Sequence, residues 1–283
     1  MSTDGQGTSP FTVASTIDDA LTAIENGAIP VAGATIVVSK TLKDGEPVRL
    51  VDIGRIEALR GIDARPDGVT LGAAVTLAEA AKPLAAHPSL GAAHAAATLI
   101  ANPQVRGAAT FGGNLGTTEW VTDISTALLA LDARVRFVER SGPADAAIAD
   151  FLIDAAATKR LITAVIVPIV PDRRSTFVKF TWRHSSAPAI AGVAVAARIV
   201  DGLAHDARIV VGSTVRKPVR LPAADALLDG KPLAGATIED AAERAAAFAP
   251  IDVPPPFGDP AYVRRALRRV VHDAIAALVP AAP

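Results

Sequence analysis

Apolar positions along this chain recur in two periods, one helical and one alternating. Ile17, Ala20, Leu21 and Ile24 follow at helical spacing after Thr16, which can cap, with Asp18 and Asp19 at the positive end of the dipole and Gly27 placed to end the helix. "IPVAGATIVVSK" then reads as a short β run, a glycine turn and further apolar residues. "RLVDIG" and "GVTLGAAVTL" predict strands, Thr76 caps a helix over "LAEAAKPLAAH", and "SLGAAHAAATLIAN" predicts another helix. "DISTALLALDARVRFVER" reads as a helix passing into a strand, and "LITAVIVP" as a further strand.

The prolines and charges of "VPIVPDRRST" interrupt this regularity and place a domain boundary near residue 171, dividing the chain into 1–170 and 171–283. Beyond it, "STFVKFTWRH", "AIAGVAVAARIV" and "AHDARIVVGST" predict three strands, with Asp201-Gly202 as the hairpin turn between the last two. Helices follow at "AADALLDG", "TIEDAAERAAAFA" and "DPAYVRRALRRVVHDAIAALV", the last opened by Asp259 as N-cap and Pro260 at the first helical position. Strands followed by helices make the second domain α+β.

Composition narrows the function classes. With 50% hydrophobic and 20% charged residues the chain is globular, and a net charge of −1 with 4% aromatics offers neither a field nor a stacking surface for nucleic acid. The absence of cysteine excludes a disulfide framework and any iron–sulfur cluster held by this chain's own thiolates. His87, His94, His184, His205 and His272 form no HxxxH or HExxH pair, so zinc has no sequence support. The polar start MSTDGQGTSP is not a signal peptide, and no window approaches ~18 uncharged apolar residues, so the expected compartment is the cytoplasm.

The stretch "ATFGGNLGTTEW" poses the functional question. A β-type run enters the pair Gly112-Gly113, and a helix follows the polar tail. Adjacent glycines there serve either a tight turn or a backbone cradle for an anion. The familiar dinucleotide and nucleotide patterns are missing: Gly112, Gly113 and Gly116 do not fit GxGxxG, and Gly230-Lys231 does not complete a Walker A loop. Asp123, at the expected cap of the next helix, is either that cap or an acceptor for sugar or ribityl hydroxyls. Arg264, Arg265, Arg268 and Arg269 share one side of the last helix, as a solvated face or a subunit contact, and Trp182 reads as packing.

Together these segments resemble the FAD-binding medium subunit of the molybdenum hydroxylases, the group of carbon monoxide dehydrogenase and xanthine dehydrogenase. "VAGATIVV" stands in the place of the family's AGG-type first FAD loop, followed by "LVDIGRIEALRGI". "NPQVRGAATFGGNLG" matches the second FAD loop, and "DISTALLALDA" continues it. "FVKFTWRHSSAPAIAGVAVA" and "APIDVPPPFGDPAYVRRALRRVV" match the start and the final helix of the family's C-terminal domain. Single motifs are weak, but their order runs nearly end to end. The departures are Ala34 for the second glycine of the first loop, Ile36 for a polar residue or leucine, Gly107, Ala108 and Ala109 for Asn-x-Gly, and Trp120 after Glu119.

The resemblance implies an α+β fold: a two-subdomain FAD domain followed by an α+β C-terminal domain with a three-stranded antiparallel sheet and helices. It implies that Ala32, Gly33, Ala34, Thr35 and Ile36, with Thr110, Phe111, Gly112, Gly113 and Asn114, carry the FAD pyrophosphate on backbone N–H groups, with Thr117 nearby. Asp123 stands where the family bonds the cofactor's hydroxyls, Lys179 where a lysine lies near the flavin ring, and Leu161 or Ile162 where an apolar residue packs by it. The implied role is electron transfer through FAD. A large partner holds the molybdenum cofactor, a small partner holds two [2Fe–2S] clusters, and the assembly is a dimer of heterotrimers. NAD, oxygen and quinone all fit as acceptor. Two other classes compete: a self-contained flavin oxidase, which needs a substrate domain and usually a His or Cys tether, and a scaffold that has lost FAD, for which Ala34 is the hint.

Overall fold

The computed structural model describes residues 10–38, 48–117, 122–153, 159–183, 187, 189–215, 217–252 and 259–279. The amino-terminal polar segment up to residue 9, Glu119, Trp120, His184 and the prolines at 254–256 lie outside the described residues.

Strands β1 (Phe11–Val13), β2 (Ile29–Val31) and β3 (Leu50–Asp52) form a parallel sheet in the order β1-β3-β2. Helix α1 (Ile17–Glu25) opens with a capping box: Asp19 N–H donates to Thr16 Oγ1 at 3.1 Å, and Thr16 N–H donates back to the Asp19 carboxylate at 2.9 Å. Leu21 and Ile24 of α1, Val51 and Leu161 close a small core.

A second, five-stranded antiparallel sheet uses β4 (Ile62–Arg65), β5 (Gly68–Gly72), β6 (Arg134–Glu139), β7 (Gly142–Ala147) and β8 (Leu161–Pro168), in the order β4-β5-β8-β6-β7. The strand expected over "GVTLGAAVTL" ends at Gly72. There an added Cβ would sit 2.3 Å from the Leu59 carbonyl oxygen, so the chain passes too close for a side chain. Helices α2 (Leu77–Ala85), α3 (Gly91–Leu99), α4 (Pro103–Arg106), α5 (Phe111–Gly116), α6 (Asp123–Ala130) and α7 (Ile148–Ile153) accompany this sheet. Thr76 caps α2 in a second capping box with Glu79. Val69, Leu71, Val135, Val165 and Val167 share one core with Leu77, Leu84, Phe111 and Leu128.

The third sheet joins β9 (Arg173–Thr181), β10 (Ala189–Val200) and β11 (Leu203–Gly212) as the alternation predicts, with Asp201 and Gly202 at φ 51° and 78° in the hairpin turn. Two short additions, β12 (Val219–Arg220) and β13 (Lys231–Pro232), pair with β11, and the expected helix over "AADALLDG" is the single turn α8 (Pro222–Asp225). β10 is buried on both faces. Val193 and Val195 face the core made with α9 (Gly235–Phe248) and α10 (Pro260–Ala276), while Ala194 and Ala196 belong to the core of the second sheet. That explains why its sequence is an unbroken apolar run.

In α10, Val263, Leu267, Val270 and Val271 are buried as their spacing predicts. Two of the four arginines on its other side, Arg264 and Arg268, reach across to α9. Arg268 pairs with Glu239 and Glu243 of α9, each at 2.9 Å, and Arg264 donates to the carbonyls of Ala246 and Ala247 at the end of that helix. Trp182 is 64% exposed, so the expectation that it packs inside is not met. Arg173, from the linker-like charge cluster, is buried: it donates to Ser89 Oγ at 2.6 Å, to the Leu131 carbonyl at 3.1 Å and to the Pro168 carbonyl. Burial, helped by the nearby Arg208 charge and opposed by Asp132, lowers its pKa to about 10.

Candidate functional site

The chain between β2 and β3 meets the chain around α5 in a cavity of about 550 Å³, within the range of small-molecule sites. Gly33 makes the meeting possible. A Cβ there would lie 1.7 Å from the Ala108 carbonyl oxygen, so the two loops touch backbone to backbone. Ala32, Gly33, Ala34, Thr35, Ile36, Thr110, Gly112, Gly113, Asn114, Thr117 and Ile162 all line the cavity. Phe111 does not: its side chain is wholly buried in the core beneath, anchoring α5.

Close packing, not a positive-φ turn, is what the structure requires of the glycine pair. Gly112 and Gly113 lie in the first turn of α5, neither at positive φ. Thr110 is the N-cap, accepting from Gly113 N–H at 3.1 Å. A Cβ on Gly112 would lie 2.8 Å from the Ala73 carbonyl oxygen, and one on Gly113 would lie 2.9 Å from Thr110 Oγ1. The pair therefore lets α5 seat against the sheet and close its own cap.

An account of backbone donors separates the two loops. In the second loop, Phe111, Gly112 and Asn114 N–H donate to the carbonyls of Val75, Ala73 and Thr110 at 3.0, 2.9 and 3.0 Å. In the first loop, the N–H groups of Gly33, Ala34, Thr35 and Ile36 donate to none of the described residues. Ala34 stands at φ 53°, a left-handed conformation of the kind found where successive amides turn inward to bind anions. Unused amides beside a cavity of this size fit the phosphates of a flavin dinucleotide.

Ala34 adopts a conformation that costs an alanine about 1 kcal/mol. Ala34→Gly removes that cost, and the freer unfolded chain returns part of it. The variant is expected to be at least as stable as the parent in denaturant melts and to bind FAD at least as tightly. A weaker FAD titration would show instead that the Ala34 methyl touches the cofactor.

Asp123 is not the helix cap; Thr122 is, accepting from Ser125 N–H at 3.1 Å. The Asp123 carboxylate instead meets Lys179 Nζ of β9 at 2.7 Å, with both side chains 11% exposed. Burial pushes the Asp123 carboxyl above its usual range, and Lys179 opposes the shift through its charge and its hydrogen bond. This pair does not line the cavity. Lys159, Arg160 and Phe151 do, and the sequence reading did not single them out. The adjacent cations of "TKRLIT", just before the strand, were the available signal.

Residues 6–170 match the family described as the FAD binding domain in molybdopterin dehydrogenase, and residues 176–278 match the CO dehydrogenase flavoprotein C-terminal domain. The chain belongs to this family of flavoprotein medium subunits of molybdenum hydroxylases, which are oxidoreductase components. It is 29% identical over 232 residues to the nicotine 6-hydroxylase medium subunit of Paenarthrobacter nicotinovorans, covering 81% of each chain. It is 28% identical over 277 residues to that organism's 6-hydroxypseudooxynicotine dehydrogenase complex subunit alpha, covering 94% of this chain and 93% of the relative. The fold is similar to a chain of reconstituted CO dehydrogenase from Oligotropha carboxidovorans, with a TM-score of 0.85 and 23% identity over 95% of this chain and 96% of that one. Among the described residues no helix is long and apolar enough to cross a membrane, and no cluster of His, Asp or Glu could hold a metal ion.

Proposed function

We propose that this chain is the FAD-carrying electron-transfer subunit of a heteromeric molybdenum hydroxylase, with a large molybdenum-cofactor subunit and a small [2Fe–2S] subunit as partners. The observation that carries the reading is the row of amides at Gly33–Ile36, residues of the cavity wall, that donate to none of the described residues. These donors hold the pyrophosphate, Ala32 and Ile162 pack against the cofactor, and the Thr110 cap keeps α5 in register with the first loop. Asp123 and Lys179 lie outside the cavity lining, and by the family resemblance they would meet the hydroxyl chain and the ring of bound FAD. FAD bound there would supply the redox chemistry between the clusters of the small subunit and an external acceptor. The chain has no cysteine and no histidine among the described residues lines the cavity, so FAD is expected to bind non-covalently.

The test is the visible spectrum of the purified chain and of its complex. Flavin bands are expected, with the colour passing to the supernatant on acid precipitation, and bleaching by substrate only when both partners are present. A colourless chain that cannot be loaded with FAD would make it a scaffold. Bleaching by substrate in the isolated chain would make it a self-contained oxidase.

A further inference from the structure

The two sides of the cavity come from different parts of the fold. Ile24, Glu25 and Gly33 belong to α1 and the first loop, Gly112 and Ile162 to α5 and the five-stranded sheet. The shape of the cavity therefore depends on how the first unit sits on the second. The small core shared by Leu21, Ile24 and Leu161, with Val138 packed on it, resists separation but has no direction. Arg140 supplies direction. It stands in the two-residue turn between Glu139 of β6 and Gly142 of β7, so the sheet holds its backbone. From there it reaches three side chains of α1. Its Nε donates to both carboxylate oxygens of Glu25 at 3.0 Å, one Nη donates to Thr22 Oγ1 and the other to the Asp18 carboxylate. Asp18, Thr22 and Glu25 lie on one face of the helix over two turns. One planar fork thus fixes both the height and the rotation of α1 against the sheet. Just beyond Glu25, Gly27 turns the chain at φ 82° into β2, which leads to the first loop.

We propose that Arg140 is a positioning residue for the cofactor site, holding α1 in the register that sets the first loop against the second; this rests on the flavoprotein reading above. Arg140, Asp18 and Thr22 do not line the cavity, so they act through the placement of α1 and not by contact. The ion pairs are exposed and add little to global stability, which makes their effect on the site separable from folding.

The experiment uses the full chain freed of flavin, titrated with FAD beside a thermal melt of the flavin-free form. Arg140→Met keeps the apolar stem and removes every side-chain donor. It is expected to lose about fivefold in FAD affinity, with the flavin-free melting temperature within about 3 °C of the parent's. Asp18→Asn combined with Thr22→Val cuts the same tie from the helix side. This variant is expected to weaken FAD binding too, although it removes a negative charge, and to add nothing further when combined with Arg140→Met. FAD affinity equal to the parent's in Arg140→Met would overturn the inference while leaving the flavoprotein reading intact. Tighter FAD binding by Asp18→Asn with Thr22→Val, or losses that add in the combined variant, would overturn it by making the effect one of charge. A melting temperature lowered well beyond that range in Arg140→Met would overturn it by making Arg140 a general support of the fold. A wild-type chain that takes up no FAD would overturn both.

Discussion

Gly33→Ala is expected to abolish measurable FAD binding and to lower stability by about 3 kcal/mol, the upper end of overpacking costs. The added methyl would arrive 1.7 Å from the Ala108 carbonyl oxygen, and that neighbour is backbone and has no rotamer to change. The first loop must then lift away from the second, taking the amides of Gly33–Ile36 out of line with the rest of the cavity wall. Flavin titration beside a denaturant melt checks this. Gly27→Ala is the contrast: it meets nothing within 4 Å, but its φ of 82° strains an alanine, so it should cost stability while sparing the contact between the loops. If Gly33→Ala bound FAD as tightly as the parent, contact between the loops would not be what forms the site.

The second large effect concerns Asp123. A helix cap would tolerate asparagine almost silently. The carboxylate found here is the counter-charge of a nearly buried ammonium at 2.7 Å, so Asp123→Asn should cost about 3 kcal/mol by leaving Lys179 uncompensated. Lys179→Met leaves the reciprocal fault, and its pH dependence has a definite sign. Burial already raises the folded-state pKa of Asp123 above its unfolded value, and losing Lys179 raises it further. The folded state then binds a proton more readily than the unfolded one. Stability is withheld above the folded pKa and regained as pH falls through it toward the unfolded value of about 3.9. Lys179→Met should therefore be less destabilised, relative to the parent, at mildly acidic than at neutral pH. The double variant should lose less than the sum of the two singles in a double-mutant cycle. Additive losses, or a Lys179→Met deficit that deepens in acid, would show that the pair is not coupled in solution.

Much of the fold was legible because its signals are local. Thr16 and Thr76 announce helices through capping boxes, Asp201-Gly202 announces a hairpin, and the apolar side of the last helix is plain in Val263, Leu267, Val270 and Val271. The order of the loop motifs pointed to the family that residues 6–170 and 176–278 match. What escaped depends on partners distant in the chain. Gly112 is small because of Ala73, and Gly33 because of Ala108, so neither glycine's purpose can be read from its neighbours. Asp123 looks like a cap until Lys179, 56 residues away, is seen to hold it. Arg173 sits in a charged, proline-flanked stretch that resembles a linker, yet its hydrogen bonds reach back to Ser89 and Leu131. Phe111 lies within a cofactor-loop motif and is itself core.

The two-sided burial of β10 bears on how the molecule can move. Ala194 and Ala196 are packed into the flavin side and Val193 and Val195 into the helical side, so any swing of one half against the other would have to unpack a close-packed core. A hinge across β10 between these two sides is therefore not open to this architecture. The strand acts as a fixed keel between them.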